Sequence, residues 1–343
     1  MYKNILIIAP SWIGDCIMAQ SLFQVLRDTR SNIKIDVYAN KNLFAIFDKM
    51  PQINNIICNP FFHGEIKLFK RYKEGLKLKN NNYDQVIILP GSLKSVLVPF
   101  FAKIPIRTGF SKELRGKLLT DARFLERDKL VRMVDRYVSL AFSKNSVLPV
   151  SIPVPKLNIN NQVRDRIVTK FKFIFKSTGN KKVVSFCPGA DYGAAKRWPY
   201  KYFAKLAQYF YENNYIIWIF GSSLDFDIGE SIVNSTFAKC INLCGATDLD
   251  EAIYLLSFSD LVISNDTGLM HISCALEVPT IAIYGSTSYE HTPCLSSKSK
   301  SLSLNLECSP CFKRICPLGH FNCMNSLLPE FVFEESLKII DLE

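Results

Sequence analysis

The feature that most narrows the fold of this 343-residue chain is an apolar run that empties into a polar turn. Leu261-Val262-Ile263 reads as a buried strand. It leads into Ser264-Asn265-Asp266-Thr267-Gly268, then a small, apolar helix pattern at residues 269–276, then a second strand pattern at 280–284. Strand, turn, helix, strand over this span is a βαβ unit. Its turn lies at the carboxyl edge of a sheet, where open α/β folds bind ligands. A helix opening behind Asp266, Thr267 and Gly268 offers N–H groups and a positive dipole end to a phosphate. Gly268 permits close backbone approach, and Asp266 and His271 add hydrogen-bonding groups. The turn therefore reads as a seat for a phosphorylated, hydroxyl-rich ligand. The plainer alternative is that Asp266 or Thr267 caps a helix and His271 is a satisfied core histidine. Aspartic proteases also carry Asp-Thr-Gly, but they are all-β proteins, and the βαβ context excludes that chemistry.

The same order recurs along the chain. Residues 5–9 predict a strand, 10–15 a loop, 17–26 a helix and 33–38 a second strand, with further strands at 55–58 and 85–89. A proline-bearing stretch follows at 147–161, with Pro149, Pro153 and Pro155. Beyond it the pattern restarts with a helix at 162–175. Strands follow at 183–187, 215–220, 240–243, 261–264 and 280–284, with a helix at 199–211. The expected fold is α/β: two Rossmann-like domains facing across a cleft, at 1–150 and 162–343, joined by a linker at 151–161.

Charge is unevenly placed. Residues 1–150 hold 24 Lys/Arg against 12 Asp/Glu, whereas 151–343 hold 18 against 19. Two clusters dominate, from Lys67, Lys70, Arg71 and Lys73 to Lys79, and from Lys103 and Arg107 through Lys112 and Arg115 to Lys117. Such a field attracts an anionic partner, although a solvated lysine-rich face gives the same pattern. No stretch predicts a transmembrane helix. The apolar run 5–9 is too short for a leader peptide, so a cytoplasmic protein is expected.

The 11 cysteines do not form the framework of a small secreted domain. Cys187, Cys240, Cys244 and Cys274 lie in apolar patterns and are expected as buried free thiols. Cys308, Cys311, Cys316 and Cys323 crowd into one segment with His320 nearby. They are a candidate structural zinc site, although a second CxxC is missing and reduced or redox-sensitive thiols fit as well.

Three loops carry candidate chemistry. The first, SWIGD at residues 11–15, has one glycine rather than a dinucleotide fingerprint, which disfavours NAD or FAD. Asp15 is placed there as a general base or as a plain helix cap. The second, PGADYGAAKRWP at 188–199, brings Lys196 and Arg197 beside Gly189 and Gly193. That combination suits a departing diphosphate, or else leaves a solvent-facing pair of cations. The third holds Gly221, Ser222, Ser223, Asp225 and Asp227, which suit a ribose or base edge or make an ordinary polar turn.

Taken together, SWIGD, PGADYGAAKRWP, FGSS and SNDTGLMH resemble the ADP-heptose:lipopolysaccharide heptosyltransferases, most of all those of type II. The resemblance spans residues 11–271 in the family's order and extends to a C-terminal helix. It implies the GT-B architecture and inverting transfer of L-glycero-D-manno-heptose from ADP-heptose to the lipopolysaccharide inner core. For type II the acceptor is heptosyl-Kdo2-lipid A; types I, III and IV use other core acceptors. The resemblance makes Asp15 the catalytic base. It makes Lys196, Asp266, Thr267, Gly268 and His271 donor-binding and requires no cofactor; Gly189, Asp191 and Ser222, in the same set of loops, join them as donor-binding candidates. Asp191 stands where glutamate is common and Ala194 where proline is common.

An anionic, lipid-linked acceptor accounts for the basic first half. Lys70, Arg71, Lys73, Lys112 and Arg115 become candidate acceptor-binding residues. The protein is then expected to sit peripherally on the cytoplasmic face of the inner membrane. Two other classes compete. One is a nucleotide-dependent oxidoreductase, against which the missing glycine fingerprint counts. The other is a non-catalytic binder of nucleic acid or anionic lipid; no nucleic-acid module is present, so nucleic acid is not an expected partner.

Overall fold

The computed structural model describes residues 3–62, 64–144 and 146–340. The chain divides into two compact units, Met1–Pro155 and Lys156–Glu343.

The first unit is built on a parallel sheet of β1 (Asn4–Ile8), β2 (Lys34–Ala39), β3 (Asn55–Cys58), β4 (Gln85–Ile88), β5 (Ile106–Phe110) and β6 (Asp121–Arg123). Their order is β3-β2-β1-β4-β5-β6. The central strands β1 and β4 are runs of buried aliphatic residues, as expected where helices cover both faces of a parallel sheet. In register, Ile7 lies opposite Val37 on one side and Ile87 on the other.

The second unit repeats the plan with β7 (Lys182–Cys187), β8 (Tyr215–Ile219), β9 (Cys240–Asn242), β10 (Leu261–Asn265), β11 (Thr280–Ile283) and β12 (Ser299–Leu302). Its order is β12-β11-β10-β7-β8-β9, all parallel. Counted from each unit's first strand, both sheets run 3-2-1-4-5-6, the doubly wound order of a Rossmann-like fold. The chain direction switches between β1 and β4 in one unit and between β7 and β10 in the other. Ligands of such sheets bind outside the carboxyl ends at that switch.

Helix periodicity seals the second core. On the helix Tyr200–Glu212, Phe203, Leu206, Ala207 and Phe210 recur at i, i+3, i+4 and i+7, and all are buried. Burying each phenyl ring contributes roughly 2 kcal/mol. The last helix, Pro329–Ile340, closes over it, with Phe333 edge-on to Phe210 at 5.0 Å.

Several elements differ from expectation. The helix after β1 is Ile13–Thr29, four residues longer at its start than anticipated, so Asp15 lies within its first turn. The helix expected at 162–175 is two, Asn161–Lys170 and Lys172–Thr178, broken where Phe171 leaves helical geometry (φ −101°, ψ 27°) with its ring buried. Strands β5, β6 and β12 were not foreseen. Two are short edge strands with charged residues. The third contains Gly109, where an added Cβ would come within 3.1 Å of the Ile88 carbonyl oxygen. Among the described residues, no helix is long and apolar enough to cross a membrane.

Candidate active site

The second unit gathers its polar residues at the β7/β10 switch. The turn after β10 runs through Asp266 into the helix Gly268–Ala275, with Thr267 at the N-cap. Thr267 makes no side-chain capping bond; its hydroxyl instead lies 3.2 Å from that of Ser264. Asp266 is also not a cap. Its buried carboxylate accepts from Lys196 Nζ at 2.6 Å and from Thr287 Oγ1 at 2.6 Å, both through Oδ2. Lys196 Nζ also lies 3.3 Å from the Asp266 carbonyl oxygen. Two of its three donors are thereby aimed at one residue, and the cation is held beside the helix start. The Tyr192 ring flanks the same ammonium at 5.0 Å. The pair is mostly enclosed, with side-chain exposures of 14% and 5%, so solvent screens it weakly.

Asn265, which sequence reading passed over, joins the two loops. Its fully buried amide donates to the Pro188 carbonyl at 2.7 Å, and its Oδ1 accepts from Trp198 N at 3.1 Å. One side chain at the end of β10 thus fixes both ends of the loop after β7. Trp198 is itself anchored by its indole N–H to the Leu327 carbonyl at 2.9 Å.

Gly189 fits tightly in this loop: an added Cβ would run into the Asp225 carboxylate. That carboxylate is in turn held by the Ser222 backbone N–H at 2.9 Å and hydroxyl at 2.8 Å. Ser222 is exposed after β8, next to β7, and Asp191 is exposed in the loop itself. His271 lies within the helix Gly268–Ala275 and is buried. Burial pushes its pKa down to about 4, with Asp266 opposing and Lys196 assisting. The imidazole is therefore neutral near pH 7.

In the first unit, Asp15 lies at the carboxyl edge of β1, also beside a switch point. Trp12 occupies the N-cap and makes no side-chain capping bond. Asp15 is thus a first-turn residue rather than a cap, at the positive end of the helix dipole. Tyr137, on the helix Met133–Ser139, donates its hydroxyl hydrogen to Asp15 Oδ1 at 3.0 Å. The phenol is held well above its ordinary pKa, first by burial and then by the Asp15 charge and hydrogen bond. It remains a donor across the working pH range.

The basic candidates divide. Lys70, Lys73 and Lys112 are exposed. Arg71 and Arg115 are buried and do not offer an acceptor-facing surface. Arg71 donates to the carbonyls of Ile66, Glu65 and Lys94 at 2.6, 2.9 and 3.1 Å. Arg115 donates to the Phe110 and Pro90 carbonyls and to Ser95 Oγ. Each planar guanidinium presents a rigid fork of donors that satisfies several backbone carbonyls at once.

The four-cysteine zinc candidate shows no preformed metal geometry: among the described residues, no group of three or more His, Cys, Asp or Glu side chains is arranged to hold a metal ion. Cys308, Cys311, Cys316 and Cys323 are free thiols, and so are Cys187, Cys240, Cys244 and Cys274. The segment has a different structural part. Its Phe312 carbonyl accepts from the Tyr192 hydroxyl at 2.7 Å, and its Arg314 carbonyl accepts from Ala195 N at 3.0 Å. It thereby buttresses the loop that carries Lys196.

Two Rossmann-like units, one with a cation beside a helix start and the other with an oriented carboxylate, have the make-up of a GT-B glycosyltransferase. Comparison with known proteins agrees. Residues 71–322 match the model for glycosyltransferase family 9 (heptosyltransferase). The chain is 35% identical to lipopolysaccharide heptosyltransferase 2 of Salmonella typhimurium, over 99% of each chain. It is 41% identical to lipooligosaccharide heptosyltransferase 2 of Haemophilus influenzae, over 88% of each. The structure of Escherichia coli ADP-heptose lps heptosyltransferase II superposes with a TM-score of 0.88, at 33% identity and 99% coverage of both chains. The chain belongs to glycosyltransferase family 9, the heptosyltransferases.

Proposed function

We propose that this enzyme transfers L-glycero-D-manno-heptose from ADP-heptose to heptosyl-Kdo2-lipid A, with inversion at the anomeric carbon. The observation that carries the donor half is the Lys196–Asp266 pair across the β7/β10 switch. It sets a cation beside the start of Gly268–Ala275, where a departing diphosphate gains most from positive charge. Asp266 and the turn at Thr267 and Gly268 hold the donor, with Gly189, Asp191, Ser222 and neutral His271 shaping its surroundings. Asp15 takes the proton of the acceptor hydroxyl as its oxygen attacks the anomeric carbon, and the bond from that carbon to the diphosphate breaks to release ADP. The lysine and the helix start supply the charge, so the scheme requires no cofactor. The exposed Lys70, Lys73 and Lys112 attract an anionic, lipid-linked acceptor to a peripheral position on the cytoplasmic face of the inner membrane. Identity of 35–41% to heptosyltransferases 2 supports this acceptor.

The test is the mass of the product after incubation with ADP-heptose and heptosyl-Kdo2-lipid A. A gain of one heptose with release of ADP is expected. Transfer to Kdo2-lipid A instead would assign the first heptose, and transfer to neither acceptor despite ADP-heptose binding would overturn the choice of acceptor.

A further inference from the structure

The first unit carries an apolar stripe that its own fold leaves uncovered. On the helix Leu68–Lys79, Arg71, Gly75 and Leu78 face inward. On the outer side Phe69, Tyr72 and Leu76 recur at i, i+3 and i+7, exposed by 70%, 45% and 44%. An amphipathic helix that served only its own core would bury such a row. The stripe runs on into the neighbouring helix Leu93–Phe101. Tyr72 meets Phe101 edge-on at 5.4 Å, and Phe101 meets Phe100 at 5.6 Å. Contiguity distinguishes this face from the scattered apolar residues that any surface shows.

Cations are interleaved with the rings. The helix carries five Lys and Arg against one acidic residue, Glu74, which is paired with Lys77 at 2.7 Å. Lys73 Nζ lies 4.7 Å from the centre of the Phe69 ring. A second copy of the chain would bring like charge against like charge here. An anionic bilayer complements both features: lysine heads meet lipid phosphates while the rings reach below them.

We propose that the outer face of Leu68–Lys79, continued by Phe100, docks on an anionic lipid surface, with the helix lying in the headgroup plane. This rests on the reading that the acceptor is lipid-linked and names the face that meets the membrane. Its test does not require transfer.

The intact protein is sedimented with vesicles of phosphatidylethanolamine and phosphatidylglycerol, and separately with phosphatidylcholine. Binding is expected only to the anionic vesicles. A Phe69→Ser/Leu76→Ser variant should lose at least about tenfold in affinity, through lost apolar burial alone. Its melting temperature and its transfer to a deacylated, water-soluble acceptor should be unchanged, because both positions are exposed. Phe69→Trp should be quenched by brominated anionic lipid. Equal binding to both vesicle types, or wild-type vesicle binding by the double variant, overturns the proposal. So does a dimer that the double variant abolishes, since the face would then belong to a second copy. Loss of transfer to the soluble acceptor also overturns it, since the face would then belong to the sugar site. Failure of the heptose-transfer assay with vesicle binding intact would count against the acceptor and leave the docking face standing.

Discussion

The Tyr137 hydroxyl lies 3.0 Å from Asp15 Oδ1, joining residues 122 positions apart. A buried phenol that stays protonated holds this carboxylate oxygen fixed and so orients the base. Tyr137→Phe keeps the ring's packing and removes only this contact. We expect kcat to fall about tenfold with KM for ADP-heptose unchanged, whereas Asp15→Asn loses transfer by orders of magnitude and still binds donor. An unchanged kcat in Tyr137→Phe would show that the bond serves the helix packing rather than the base.

Lys196 and Asp266 form a mostly buried ion pair, and removing one partner strands the other. Lys196→Met should destabilise the protein by about 3 kcal/mol, read from urea unfolding, and should abolish measurable donor binding. Lys196→Met combined with Asp266→Asn should recover part of the stability and none of the binding. Full recovery of donor affinity in the double variant would remove the lysine from the phosphate site.

His271 makes stability depend on pH in a known direction. In the unfolded chain the imidazole takes up a proton near its ordinary value of 6.5, but in the folded protein only at about 4. The unfolded state therefore binds more protons between these values, and acid favours it. The contribution is complete above about pH 6.5 and is lost as pH falls, by roughly 2 kcal/mol at pH 5. Denaturant midpoints at pH 7 and pH 5 should differ for the wild type by more than for His271→Gln. Equal differences would mean that other groups set the acid limb.

Gly193 tests whether the cysteine-bearing segment tunes donor binding. Its φ of 153° disfavours a side chain, and an added Cβ would strike the Arg314 carbonyl oxygen. That oxygen accepts from Ala195 N, one residue before Lys196. Gly193→Ala should raise KM for the donor about tenfold and leave kcat within a few-fold, because the strain falls on the loop and not on Asp15. An unaltered KM would make the contact purely structural.

The central strands could be read from the sequence because both faces of a parallel sheet are buried, which leaves long apolar runs at β1, β4, β7 and β10. The edge strands β6 and β12 carry charged residues on short runs and gave no such signal. Lys196 and Asp266 were each recognisable from their loops. Their pairing, across 70 positions, follows from β7 lying beside β10, which no local pattern encodes. Tyr137 escaped notice for the same reason. The burial of Arg71 and Arg115 is not legible in the sequence, because a count of charges cannot separate a guanidinium feeding backbone carbonyls from one facing solvent. The four cysteines lie close in sequence and Cys323 feels the other three electrostatically, yet among the described residues no group of three or more is arranged to hold an ion.

The cysteine thiols are unequal in acidity. Backbone N–H groups of Phe321, Leu318, Gly319 and His320 are directed at the Cys316 sulfur and hold its pKa below the ordinary thiol value. Burial pushes Cys240 and Cys244 up to about 12, and Cys187 higher still. Because the thiolate is the reacting form, limited iodoacetamide at neutral pH should label Cys316 well before those three, as read by peptide mass mapping. Labelling places a bulky group in the segment whose Phe312 and Arg314 carbonyls hold the Tyr192–Ala195 loop. ADP-heptose affinity should therefore fall in step with Cys316 modification, and Cys316→Ser should be protected from the loss. If affinity is lost while Cys316 stays unlabelled, the sensitive thiol lies elsewhere and the coupling through Arg314 is wrong.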